Sequence, residues 1–183
     1  MYRNGAGGAG GSCEIQMSTP YVLNSSLINT SQSFNTFSWI NNSIKNCLAD
    51  YGPGVDANFF ATQVKNNVIT CNKNIFSQNT NISKNNWQGL ETTWGGAFGI
   101  WIYFLSENNS LTVDNTLFES NAVGTGGGAL FWWSRPDRNL KITIFNSNFT
   151  SNSALSFGGA VLLMSQSFIN TIITIYNRNF YSN

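Results

Sequence analysis

A phrase that returns about every 31 residues constrains this chain more than any single residue does. Its clearest copy runs Ile142-Thr143-Ile144-Phe145-Asn146-Ser147-Asn148-Phe149-Thr150-Ser151-Asn152 and closes at Gly158-Gly159-Ala160. The next begins Ile173-Thr174-Ile175-Tyr176-Asn177 and reaches Phe180 and Asn183. Self-similarity at such a period marks stacked supersecondary units, each too small to close a core alone. Aligned on one apolar key residue, the copies are anchored at Ile44, Phe76, Phe118, Phe149 and Phe180, at intervals of 32, 42, 31 and 31.

The alignment turns residues into columns. Seven before the anchors stand Phe37, Ile69, Leu111, Ile142 and Ile173, and five before stand Trp39, Cys71, Val113, Ile144 and Ile175. Apolar residues at every second position, with β-branched neighbours, put one face of a strand into a core. Three after the anchors come Cys47, Asn79, Asn121, Asn152 and Asn183, and three before come Asn41, Lys73, Asn115, Asn146 and Asn177. Asn tolerates the left-handed backbone of a corner and bonds to its own kind above and below, so these columns predict corner ladders. Past the anchors come Pro53-Gly54-Val55, Gly95-Gly96-Ala97, Gly127-Gly128-Ala129 and Gly158-Gly159-Ala160, glycine corners with a small residue inside. The interval of 42 holds about ten extra residues, which predicts a loop insertion over 80–94.

The predicted fold is all-β: a right-handed parallel β-helix of five or more rungs, about 31 residues and three short strands per rung, in a single domain spanning 1–183. Phe-x-x-Asn paired with Gly-Gly-Ala resembles the repeat of the polymorphic outer membrane proteins, most closely at Phe118, Phe149 and Phe180, over roughly residues 95–183. The resemblance implies surface display, with adhesion or assembly, and no catalytic residue to carry over.

Composition narrows the partners. Only 9% of residues are charged, and the net charge is +1, so nothing here attracts nucleic acid or an anionic membrane. No run reaches the ~20 apolar residues of a membrane-spanning helix. With no His and Cys13, Cys47 and Cys71 at no metal-binding spacing, neither a metal nor a cofactor is expected. Cys71 falls in an inward column and reads as a small buried hydrophobe, while one disulfide among the three stays open. Six Asn-x-Ser/Thr sequons, at Asn24, Asn29, Asn41, Asn81, Asn108 and Asn148, are candidate N-glycan sites, with Asn108 and Asn148 placed outward. The Gly5–Ser12 run resembles an earlier glycine closure, and Asn183 stops partway through a rung; the chain reads as a segment of a longer repeat protein, or one whose ends dock on neighbours.

Catalysis on such a scaffold needs acids and bases clustered along one face. Here eight acids and nine bases are scattered, and Arg135, Asp137, Arg138 and Lys141 read as a solvated turn. A contact surface is the better prospect. After the glycine corners, Trp101 aligns with Trp133 and Met164, and Ile100 with Trp132 and Leu163, so one parity must face out. Trp101, Tyr103, Phe131, Trp132 and Trp133 are the candidates. The sequence therefore points to a non-enzymatic extracellular or cell-surface protein, structural or adhesive, which carries N-glycans and associates head to tail or with neighbouring repeats. A carbohydrate-binding module and a pectin-lyase-like, polysaccharide-active enzyme stay open as alternatives.

Overall fold

The structure, a computed structural model, describes residues 5–9, 13–17, 31–51, 54–59, 63–81, 96–124 and 126–183. It contains five parallel sheets, each five strands deep, stacked into a β-solenoid. Each rung visits the sheets in the order A to E. Sheet A holds Gly5–Ala9, Leu48–Tyr51, Thr80–Asn81, Ala122–Val123 and Ser153–Ala154. Sheet B holds Cys13–Met17, Val55–Phe59, Phe98–Ile102, Leu130–Ser134 and Val161–Ser165. Sheet C holds Ser31–Ser33, Gln63–Lys65, Leu105–Glu107, Asp137–Arg138 and Phe168–Ile169. Sheet D holds Thr36–Ile40, Val68–Asn72, Ser110–Asp114, Lys141–Phe145 and Ile172–Tyr176. Sheet E holds Ser43–Lys45, Ile75–Ser77, Leu117–Glu119, Asn148–Thr150 and Asn179–Tyr181.

The five anchors pair in register along sheet E, and about four turns separate the first from the last. Phe76, Phe118, Phe149 and Phe180 stack nearly parallel, with ring centroids 5.0, 4.8 and 4.7 Å apart. That spacing is the interstrand distance itself, so the rung repeat sets the aromatic stack. The apolar columns on sheet D fill the same core, with Ile69, Cys71, Leu111, Val113, Ile142 and Ile144 all buried.

Each rung has five short strands where three are expected from the sequence, because left-handed residues punctuate it at three places. One column is Phe34, Asn66, Asn108, Asn139 and Asn170; a second is Asn41, Lys73, Asn115, Asn146 and Asn177; a third is Asn46, Gln78, Ser120, Ser151 and Ser182. All have φ between 47° and 60°. The amides of most left-handed residues below the last rung still reach a carbonyl of the next rung, as Lys73 does the Asp114 carbonyl at 3.0 Å. The residue after it does not. Its N–H turns inward, toward a side chain of the next rung: Asn79 N–H donates to Asn121 Oδ1 at 3.1 Å. One corner therefore divides the ladder between two positions, a left-handed residue outside and a buried Asn directly after it.

Asn121 shows why a carboxamide is needed. Its Oδ1 accepts from the amide and the Nδ2 of Asn79, and its own Nδ2 donates to Asn152 Oδ1 at 2.8 Å and to the Phe76 carbonyl at 3.0 Å. Every donor and lone pair is used. Asn152 repeats the pattern with Asn183 and the Phe118 carbonyl. Asn35, Asn67 and Asn109 form a second ladder, and Asn42, Asn74, Thr116 and Ser147 a third.

At the glycine corners the two residues of each pair are required for different reasons. Gly127 and Gly158 lie at φ 76° and 53°. Gly96 and Gly128 are held by close approach instead: a Cβ at Gly96 would overlap the Gly127 carbonyl oxygen, and one at Gly128 the Gly159 carbonyl oxygen. Gly95 lies outside the described residues. Of the stretch 80–94 that the sequence assigns to a loop, Thr80 and Asn81 pair with Leu48 and Ala49 in sheet A, and residues 82–94 lie outside the described residues. Cys47 and Cys71 are both buried. Burial pushes the Cys71 thiol up to about 12, with Asn74 and Thr116 offsetting it in part, so this sulfur is packing and not a nucleophile.

Candidate contact surfaces

Strand parity on sheet B decides which aromatic residues face out. Phe98, Ile100 and Ile102 point into the core, and so do Leu130 and Trp132 above them. Trp132 is 0% exposed, with its Nε1–H directed to Asp137 Oδ2 at 3.0 Å, which removes it from the expected contact surface. Phe131 is on the outward parity, yet it is also buried. Gly99 pairs with Phe131 and leaves the room that lets Trp101 lean over it, ring centroids 4.6 Å apart.

What remains open is a half-buried cluster of Trp101, Tyr103 and Trp133. Trp133 lies 5.7 Å from Trp101 and 5.3 Å from Tyr103, in tilted and edge-on contacts, and the Arg135 guanidinium sits 4.6 Å above the Trp133 ring. Met164 extends the Trp101–Trp133 column into the last rung. The aromatic rings pack mainly on one another. The Trp101 Nε1 is buried with no hydrogen-bond partner.

Polar ladders run up the outside. Asn170 donates to Asn139, Asn139 to Asn108 and Asn108 to Asn66, at 3.3, 2.8 and 3.2 Å. Asn179 donates to Asn148 Oδ1 at 3.1 Å. The sequon residues Asn41, Asn108 and Asn148 are exposed; Asn81 lies in sheet A, and Asn24 and Asn29 lie outside the described residues. Lys65 bridges Glu107 at 2.8 Å on the outer side of sheet C, and this contact holds the exposed Glu107 carboxyl below its ordinary value.

The turn read from sequence as solvated is corrected by one of its members. Asp137 is 0% exposed and faces inward, in register with Ser106 below and Phe168 above. Twelve residues before each anchor stand Gln32, Val64, Ser106, Asp137 and Phe168, so the anchor alignment itself carries the signal that places Asp137 in a core column. Sequence reasoning missed it by reading its charged neighbours as one group.

The core columns continue into the last rung of this sequence. In the last rung Ile173, Ile175 and Phe180 occupy core columns but are 47%, 36% and 45% exposed. Among the described residues no group of three or more His, Cys, Asp and Glu is placed to hold a metal, and no helix is long and apolar enough to cross a membrane. Searches of protein-family models, curated proteins and solved structures give no match to this chain.

Proposed function

We propose that this chain is a non-enzymatic structural or adhesive scaffold of an extracellular surface, a β-solenoid that extends by adding rungs and carries N-glycans on its Asn-rich exterior. The observation that carries the reading is the translational match of the rungs, which pair in register through all five sheets. Ile173, Ile175 and Phe180 stand in the same columns as Phe37, Trp39 and Ile44 of the first rung, so any further rung of this pattern, from the same chain or from a second copy, continues all three columns in register. Covering half-exposed Ile and Phe columns is favourable at roughly 25 cal/mol per Å² of apolar surface. The row of backbone groups at a sheet edge gains partners at the same time. A head-to-tail contact of this kind is heterologous and grows into a filament instead of closing a ring. The Phe-x-x-Asn and Gly-Gly-Ala columns keep the likeness to polymorphic outer membrane protein repeats, which supports a place at a cell surface, and the exposed Asn41, Asn108 and Asn148 leave room for glycans.

Electron microscopy and sedimentation of the full chain test this reading. Filaments whose axial spacing is a multiple of ~4.8 Å are expected, and Ile175→Asp should abolish them while leaving a folded monomer. Wild-type protein that stays monomeric at high concentration overturns the self-stacking. A carbohydrate-binding role is a second reading, favoured by the half-open Trp101–Trp133 column and the unpaired Trp101 Nε1. Binding on a glycan array that is lost in Trp101→Ala and Trp133→Ala would support it, and an array with no bound glycan would end it.

A further inference from the structure

Asp137 is a carboxyl group in the core of a solenoid whose other buried polar side chains, among the described residues, are amides and hydroxyls. Its Oδ2 accepts from Trp132 Nε1 and from the Ser134 hydroxyl, and its Oδ1 has no hydrogen-bond partner. The rung below presents Ser106, whose Oγ accepts from Asn109 Nδ2 at 3.0 Å and whose hydroxyl also bears on the Asp137 carboxyl. The rung above presents Phe168. Sheet B presents Trp132 and Ser134.

No cation faces the carboxyl from any of these elements. The neighbouring charges lie on the outer side: Glu107 and Arg138 are each one residue out of phase with the inward pair Ser106 and Asp137, Lys65 is bridged to Glu107, and Arg135 is spread over Trp133. An ionised Asp137 would be a buried charge without a counter-ion, among the costliest groups a core can hold.

The cover here is also thin. Sheet C contributes two residues in each of the last two rungs, and Phe168 and Ile169 are 42% and 41% exposed. The amide ladder that ties this corner through Asn35, Asn67 and Asn109 gives way to Leu140 in the fourth rung.

We propose that Asp137 keeps its proton in the closed solenoid, and that release of this proton to water opens the sheet C corner of the fourth and fifth rungs, a pH-sensitive latch that tightens in acid. Burial pushes the Asp137 carboxyl above its ordinary value, against the smaller opposing pull of Ser106, Ser134 and Trp132. A group whose folded pKa is raised stabilises the fold fully below its unfolded value, and this stability is lost as pH rises through the folded one. One proton leaves per opening between the ordinary aspartate value of about 4 and the raised value of the closed state, so over that window the opening constant rises tenfold per pH unit.

Amide hydrogen exchange of the full chain across that range reads this slope directly. Wild-type amides in 131–140 and 167–171 should quicken by a further tenfold per pH unit over their intrinsic pH dependence, while those in Ser110–Asp114 keep the intrinsic dependence. Asp137→Asn, which can accept from Trp132 and donate to a serine hydroxyl, should remove the extra slope. Asp137→Ser, the residue of the rung below, should do the same and serves if the amide variant fails to fold. An identical slope in wild type and either folded variant, or no extra slope in wild type, overturns the latch.

Discussion

At the corner between sheets E and A, Asn79, Asn121 and Asn152 stand one above another, fully buried, with each carboxamide bonded to the rungs on both sides. On the inner side of sheet C, Asp137 is buried as deeply and leaves one carboxylate oxygen bare. The difference follows from repetition. A polar residue present in successive rungs meets its own kind at the rung spacing, so donors and acceptors match by translation. A polar residue that occurs once must be served by whatever its neighbours offer, and Trp132 and Ser134 together reach only one oxygen. Repetition thus lets a solenoid bury amides at little net cost, and the singular residue is where its stability becomes conditional.

Breaking the ladder should have the largest effect. Asn121→Leu takes the acceptor from the Asn79 backbone N–H and Nδ2 and the donor from the Phe76 carbonyl, and at about 1–3 kcal/mol for each orphaned group the loss should reach about 4 kcal/mol or more in urea denaturation. Asn121→Asp should be no milder, because a carboxylate supplies none of the two donated bonds.

Phe118→Ala comes next, at about 3–5 kcal/mol for a cavity inside the ring stack. Phe180→Ala in the half-exposed last rung should cost about 1–2 kcal/mol. Equal losses at the two sites would show that the last rung is covered in solution, so this pair also probes the end-to-end contact.

The glycine pair sharpens the contrast between steric and conformational demand. Gly128→Ala places a methyl group against the Gly159 backbone and should cost about 3 kcal/mol. Gly127→Ala asks an L-residue to hold φ 76° and should cost about 1–2 kcal/mol. Thermal denaturation of the two variants side by side separates these causes.

Smallest of all is the outer ion pair. Lys65→Gln should leave the melting temperature unchanged, because Glu107 is exposed and screened, while the Glu107 carboxyl titration followed by NMR moves up toward its ordinary value. The signs at the two acids are opposite. Glu107, held low, can add stability only above its unfolded pKa and loses it as pH falls, whereas Asp137, held high, favours the fold in acid.

Much of the fold was legible in the chain because its core is written in columns. Ile44, Phe76, Phe118, Phe149 and Phe180 pair as aligned, and so do Leu111 with Ile142 and Val113 with Ile144. The number of strands per rung was less legible, since a left-handed residue such as Ser120 or Gln78 carries no signal as strong as Asn or Gly. The contact surface was half legible: alignment stacks Trp101 on Trp133, but which of Trp132 and Trp133 faces the core depends on how Gly127 and Gly128 turn the chain into sheet B.

The sequence by itself determined that rungs stack in parallel, which columns fill the core, and where most corners fall, because these are translational properties that any repeat must share. Only the tertiary structure decided that Trp132 points inward, that Phe131 is covered and that no cation faces Asp137. Strand parity is a local rule, and each left-handed corner resets it. The side on which a residue emerges is therefore set by the corners before it and by the rungs above and below.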